Sequence, residues 1–398
     1  MKIIIKKVCA AVLAVILAAT LTGCDKGYLM TVDGMDIRNG IYLSFLSMAY
    51  SSAGDALAAE KTDEDSSITD EDKTPITEKT IQGVDGSTWI KSETLKAVRR
   101  FVAIQRTCEQ LGIILTDEDI KEVNSKITSE WEEENVYLQY IYGFSTMGEY
   151  YESQGIGQES MREILRVNKL QDKLFLYYFD KGGEFEVSDS EILDYLKENY
   201  ATVKMQSFSY TDAEGKKLEK DEDKKAIKDE AQAYADRINN GEKPIDVFYE
   251  YNLKTAKESV KAKAEKEYKE DNEDGLTKDE WIEKEIEALG IKKAEKEEDL
   301  DRFLSKEGSS FDEKTTEYIF NAASDGKATV FEVENGVYII IKSDITTKTS
   351  WIEDNHDNIL NEIKGEDFRN MMDLFGQNYE VVADDSLVNK KYAPETLN

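Results

Sequence analysis

Val203-Lys204-Met205-Gln206-Ser207-Phe208-Ser209-Tyr210 alternates apolar and polar side chains as a strand does, in a chain whose other long segments repeat at helical spacing. Upstream, Ser87 to Asn199 reads as helix almost throughout. Downstream, Lys224 to Asn240 is a helix, and Gly336-Val337-Tyr338-Ile339-Ile340-Ile341-Lys342 is a second strand, preceded by a third at Val330-Phe331-Glu332-Val333. A few strands embedded in helical sequence predict an α+β protein that is mostly helical. Three prolines and a charged fraction of 34% agree, because proline interrupts helices and charged side chains solvate their outer faces.

The helical signals are local and specific. Trp89 to Leu111 carries Val98, Phe101, Ile104, Cys108 and Leu111 on one face, and Gly112 stops it. Thr116-Asp117-Glu118-Asp119 and Ser188-Asp189-Ser190-Glu191 each read as a helix cap followed by acids in the first turn, where the helix dipole favours them. Near the start, Tyr28 to Val32 with Asp33-Gly34 is a short strand and turn, and Ile37 to Tyr50 is an apolar helix with Ile41, Phe45 and Met48 on one face. Trp351, Ile359, Leu360, Ile363, Met371, Met372, Leu374 and Phe375 predict a long C-terminal helix, followed by a strand at Tyr379 to Val382. That strand could pair with Tyr28 to Val32 from the opposite end of the chain, and a separate C-terminal subdomain is the alternative.

Composition sets the surroundings. Lys2, Lys6 and Lys7 precede an apolar run from Val8 that ends in Leu21-Thr22-Gly23-Cys24, the pattern of a secretory signal with a lipobox. The run has about 14 apolar residues, against the roughly 20 needed to span a bilayer, so cleavage and lipidation of Cys24 are expected in place of a membrane helix. The formal net charge is −32, and residues 1–23 contain no acid, so their loss makes the remainder more acidic. Such a chain repels nucleic acid. After processing, Cys108 is the one thiol besides Cys24, and its helical spacing with Phe101, Ile104 and Leu111 makes it a core residue with no disulfide partner.

Residues 51–86 are rich in Ser, Thr, Asp and Glu and poor in apolar side chains, and read as an inserted, mobile acidic loop. Metal binding by Asp63, Glu64, Asp65, Asp70, Glu71 and Asp72 is the alternative to a solvated run. Glu270 to Lys278 looks like the start of a calcium loop. However, position twelve is Trp281, where a bidentate glutamate is required, and Lys278 occupies a ligand position. No zinc spacing, phosphate loop or nucleophile elbow appears, so no metal or cofactor is expected. The most aromatic stretch holds Tyr137, Tyr140, Tyr142, Phe144, Met147, Tyr150 and Tyr151, and reads either as helical core or as a surface for grasping apolar segments of another chain.

"TVDGMDI", "CEQLGIILTDEDIKEV", "GIGQESMREILRVNKLQDKL" and "VSDSEILDYLKENY", in that order, resemble the helical N-terminal half of the SurA-like and PrsA-like extracytoplasmic foldases. Val203 to Tyr210, the helix Lys224 to Asn240, Gly241 with Val247-Phe248, Asn321 to Lys327 and Gly336 to Lys342 resemble the parvulin-type prolyl isomerase domain that follows in that family. The resemblance implies a signal peptide at 1–23 and a helical chaperone domain at 24–200 that carries the acidic loop. It further implies a parvulin-like domain at 201–345 with a charged helical insertion at 254–301, and a C-terminal segment at 346–398 that completes the first domain. Parvulins carry a histidine on each of two strands, which here fall at Ser207 and Tyr338. The single histidine, His356, lies outside the domain and reads as a solvated helix residue. The family's glycine-rich segment bearing an acid or thiol is also absent.

The resulting expectation is a lipid-anchored chaperone or foldase on the outer face of the cell membrane that binds unfolded or newly exported polypeptides. Tyr137, Tyr140, Tyr142, Phe144, Met147, Tyr150 and Tyr151 are its client-binding residues, and Ser207 and Tyr338 mark a degenerate isomerase site. An active peptidyl-prolyl cis-trans isomerase is the first alternative, because twisting a prolyl amide needs no nucleophile. A solute- or cell-wall-binding lipoprotein is the second, although the strand and helix alternation of such folds is missing from residues 87–200.

Overall fold

Asp33 and Gly34 both hold positive φ, 48° and 73°, the backbone of a tight two-residue turn that matches the twist of a hairpin. This computed structural model describes residues 27–59, 74–269 and 275–397, so the lipobox cysteine, the acids at 63–72 and the first half of the calcium-like loop lie outside the described residues.

The turn joins β1 (Tyr28–Val32) to β2 (Met35–Arg38), and α1 (Asn39–Ala59) follows. A second small hairpin, β3 (Thr80–Ile81) and β4 (Val84–Asp85), leads into α2 (Gly86–Leu111), α3 (Asp117–Glu132), α4 (Val136–Tyr142), α5 (Met147–Ser153) and α6 (Gln158–Phe179). Then come α7 (Asp189–Asn199), β5 (Tyr200–Ser209), α8 (Asp221–Asn239), α9 (Pro244–Glu267), α10 (Lys278–Ala288), β6 (Arg302–Ser305) and α11 (Glu313–Glu317). The chain ends with β7 (Ala328–Val333), β8 (Gly336–Ser343), α12 (Thr349–Asp354), α13 (His356–Gly376) and β9 (Val381–Ala383). The protein is mostly helical with small antiparallel sheets. It divides into two units, one made of residues up to Val187 together with those from Leu360 onward, the other running from Ser188 to Ile359.

In the first unit β1 is the middle strand of three. It pairs with β2 and, at its other edge, with β9 through Met30↔Ala383, Thr31↔Val382 and Val32↔Val381. Helix α1 is hydrophobic nearly all round, and it buries Ile41, Tyr42, Leu46, Ala49 and Ala53. Phe45 meets Phe101 of α2 edge to face, with centroids 5.8 Å apart. Phe175 and Phe179 of α6 pack around Phe368 of α13. Arg100 donates a two-pronged hydrogen bond to Asp373, at 2.6 and 2.9 Å.

Several expectations are corrected here. Ile37 belongs to β2 and the helix begins at Asn39, because the hairpin consumes the preceding residues. Met48, Leu111, Leu374 and Phe375 point outward, since the neighbouring elements cover only part of each helix's apolar face. Parts of 51–86 are regular structure: α1 continues to Ala59, and residues 80–85 form a hairpin whose turn, Gln82-Gly83, again has positive φ at both positions. The C-terminal helix is two helices, α12 and α13, interrupted at Asn355. His356 opens α13 and is half-buried. Cys108 is buried, and desolvation pushes its thiol up to about 11.

The expected cap at Thr116 is a reciprocal one. Its hydroxyl accepts the Asp119 N–H, while the Asp119 carboxylate accepts the Thr116 N–H and hydroxyl, and Lys173 of α6 lies 2.9 Å away. The Lys173 ammonium first, then these hydrogen bonds, hold the Asp119 carboxyl far below the usual carboxylate range. A depressed folded-state pKa adds stability above the unfolded value of about 3.9 and loses it as pH falls below that. Asp119→Asn is therefore expected to unfold at lower urea concentration than the parent at pH 7. The gap should narrow on acidification below about pH 4, and a gap that stays constant with pH would show that the charge of Asp119 contributes nothing.

The second unit is built on a four-stranded antiparallel sheet of order β6-β5-β8-β7. The apolar phase of β5 slips at Ser207, so Ala201, Val203 and Met205 face one side while Phe208 faces the other. Both faces are covered, as expected of a central strand. Phe208, Val337, Ile339 and Ile341 pack under α8 and α9, against Tyr234, Val247, Phe248 and Tyr251. Val247 and Phe248 thus lie inside α9. On the other face Ala201, Val203, Met205 and Ile340 pack against Ile319, in the irregular turn that follows α11. The charged stretch 254–301 supplies the end of α9 together with α10, held together by Lys263, which pairs with Glu285 at 2.7 Å and lies over the Trp281 ring.

Candidate functional site

Ser207 and Tyr338 are direct partners in the β5–β8 register, and Phe331 of β7 continues the row beyond Tyr338. Because side chains alternate across a sheet, these three share the face covered by α11. Asp312 caps that helix by accepting the Thr315 N–H and hydroxyl, which fixes the flanking aromatics. Phe311 then meets Tyr338 edge to face at 6.0 Å. Tyr318 stacks on Phe331 at 4.2 Å, and the Lys314 ammonium sits 5.9 Å above the Phe331 ring.

The result is a half-buried aromatic floor with a serine at its exposed edge. No hydrogen bond joins the Ser207 and Tyr338 side chains, and no histidine lies on either strand. The floor offers apolar surface to a ring or an aliphatic side chain. Sequence reasoning singled out Ser207 and Tyr338 but not Phe311 and Phe331, whose approach depends on the cap at Asp312.

The seven aromatic-segment residues separate into two groups. Asn135 caps α4 by accepting the N–H groups of Tyr137 and Leu138, Gly143 ends it with φ 77°, and a bridge between Glu134 and Thr146 closes its base. Leu138 is buried, and Tyr142, one turn on, shares its face. Val136, Tyr137, Tyr140 and Ile141 face solvent, at 78, 68, 90 and 42% exposure. Their positions are related by i,i+4 spacing, so they form one apolar stripe. Tyr142, Phe144, Met147, Tyr150 and Tyr151 are half-buried instead. Tyr150 contacts Tyr142, Phe144 and Tyr151, and Tyr151 stacks on Trp131 of α3 at 5.9 Å.

The segment therefore divides by burial: Tyr142, Phe144, Met147, Tyr150 and Tyr151 make a small core, and Tyr137 and Tyr140 are presented to solvent. Burial pushes the Tyr150 and Tyr151 hydroxyls above their ordinary range. Gly148 lets α5 approach Trp131, since a Cβ there would lie 2.5 Å from the ring. Val136 and Ile141 were missed, although a seven-residue helix between an asparagine cap and a glycine stop contains the signal. Among the described residues no cluster of His, Cys, Asp and Glu is placed to hold a metal ion.

No family model matches this chain, and no curated protein matches it. Among solved structures, PrsA from Bacillus subtilis aligns over 94% of this chain and 98% of its own, at 13% identity and a TM-score of 0.25. At that TM-score the alignment carries no weight for fold or function.

Proposed function

We propose that this protein is a membrane-anchored extracytoplasmic chaperone that binds unfolded or newly exported polypeptides, with lipid at Cys24 as its anchor and α4 as a grasping surface. The observation that carries this reading is the α4 stripe. Two tyrosines, a valine and an isoleucine stand in solvent on a helix whose ends are fixed by a cap, a glycine and a bridge. Large apolar side chains held out together mark contact with another apolar surface. The half-buried Tyr142, Phe144, Met147, Tyr150 and Tyr151 serve as its support. The lipobox, read from sequence, supplies the location, and residues 201–345, whose sequence resembles a parvulin domain without its two histidines, act as a non-catalytic unit.

The test is suppression of aggregation of a denatured client by the unlipidated chain. Replacing both Tyr137 and Tyr140 by serine is expected to reduce suppression about ten-fold in the chaperone concentration required, a loss of about 1.4 kcal/mol of client binding. Both side chains are exposed, so urea unfolding should stay within about 0.5 kcal/mol of the parent. Unchanged suppression would remove α4 from the reading. In a proline-limited refolding assay no acceleration is expected. Acceleration abolished by Tyr338→Phe would restore the isomerase, with the half-buried aromatic floor as its ring-binding surface.

A further inference from the structure

Strand β6 covers only part of its neighbour. It pairs with Tyr200, Ala201, Thr202 and Val203 and no further, although β5 continues to Ser209. Just beyond the strand, the Tyr210 N–H donates to Asn335 O, on the β8 side. Backbone groups of successive strand residues point to alternate edges, so the even-numbered residues of β5 serve β8, and Met205, Ser207 and Ser209 direct their N–H and C=O groups to the opposite edge. None of these groups has a backbone partner among the described residues. The Ser207 carbonyl accepts only the Gln206 side-chain amide, at 3.1 Å.

This free edge is neither blunted by a proline nor closed by a neighbouring strand, the usual protections. It forms one wall of a groove of about 720 Å³, whose other side is lined by Thr255 and Ser259 of α9 and by Ile291 and Lys292 beyond α10. Asp212, Glu230 and Glu258 also line it, against the single lysine Lys292, and Glu230 is bonded to Lys254 of α9.

We propose that this groove takes an extended, basic segment of another polypeptide, which adds to β5 as a strand alongside Met205, Ser207 and Ser209. The unpaired N–H and C=O groups supply the main-chain ladder, as in other cases of strand addition. The acidic wall and the −32 charge of the chain select lysine- or arginine-bearing strands over acidic ones. The inference rests on the chaperone reading for the class of partner, but it concerns a different surface from the α4 stripe.

The probe is a fluorescein-labelled octapeptide alternating lysine with valine, followed by anisotropy on the full unlipidated chain. It is compared with the same peptide N-methylated at alternate amides and with a glutamate–valine analogue. Binding of the first is expected, with affinity for the methylated peptide lower by about ten-fold, the effect of one or two lost net hydrogen bonds. The glutamate analogue should bind more weakly still. Ser209→Pro removes an N–H that faces the open edge, a position where a strand tolerates proline, and should weaken binding of the first peptide by a similar factor.

Equal affinity for the methylated and unmethylated peptides, or no binding at all, overturns the proposal. So does a folded Ser209→Pro chain that binds like the parent. If that variant does not fold, the methylated peptide decides alone. A dimer in sedimentation that Ser209→Pro dissociates assigns the edge to a second copy and also overturns it. Absence of peptide binding by the parent chain with its client suppression intact refutes the edge alone, and absence of both refutes the chaperone reading with it.

Discussion

Asp301→Ala is expected to lower the stability of the unit Ser188–Ile359 by about 3–5 kcal/mol, the range for removing one partner from a buried ion pair. Asp301 precedes β6, and its carboxylate is 3% exposed. One oxygen accepts from Lys204 of β5 and the other from Lys348, just before α12, each at 2.6 Å. The lysine side chains are only 11 and 18% exposed, so removing the carboxylate leaves two cations together with little water to solvate them. Chemical denaturation followed by near-UV circular dichroism reads the loss. A penalty under about 1 kcal/mol, typical of a surface pair, would mean that these charges are solvated and do not clamp the sheet. Replacing Lys204, Asp301 and Lys348 together by methionine, leucine and methionine is expected to recover most of the loss, because desolvation of the charges then disappears along with their attraction.

Gly336→Ala carries the second large effect. A Cβ at this position, directly after the β7–β8 turn, would lie 2.2 Å from the backbone oxygen of Phe208. Backbone cannot rotate away as a side chain can, so β5 and β8 would have to part where Phe208 and Val337 are buried. Overpacking of this kind costs about 1–3 kcal/mol, and the upper end is expected because the strand order leaves β5 between two partners. Hydrogen exchange at the β5 amides and the urea midpoint report it. Parent-like protection of Phe208 and Tyr210 would show that the strands are not in close contact at this point.

The parts that were legible in sequence are those set by neighbours a few residues apart. The caps at Thr116 and Ser188, the glycine stop at Gly112 and the turn at Asp33-Gly34 require only a side chain that reaches its own backbone, or a residue that tolerates positive φ. Helix ends were less readable. The sequence of α12 and α13 has one apolar periodicity, and the interruption at Asn355 has no separate mark in it. The aromatic segment shows the same limit: side-chain type marks Tyr140 and Tyr150 as equally apolar, yet Trp131, distant in sequence from Tyr150, decides which region becomes core.

The amino-acid sequence alone determined a mostly helical chain with a few strands, the sites of its caps and turns, its acidity, and the absence of paired histidines from the two strands that would bear them. Tertiary structure alone decided that Ser207 stands beside Tyr338 with no hydrogen bond between their side chains, that Tyr137 and Tyr140 face solvent, and that β6 leaves part of β5 uncovered. The physical reason is range. Periodicity and capping are interactions within one or two turns of chain, whereas register, exposure and a free sheet edge depend on partners far away in sequence, whose position no local pattern encodes.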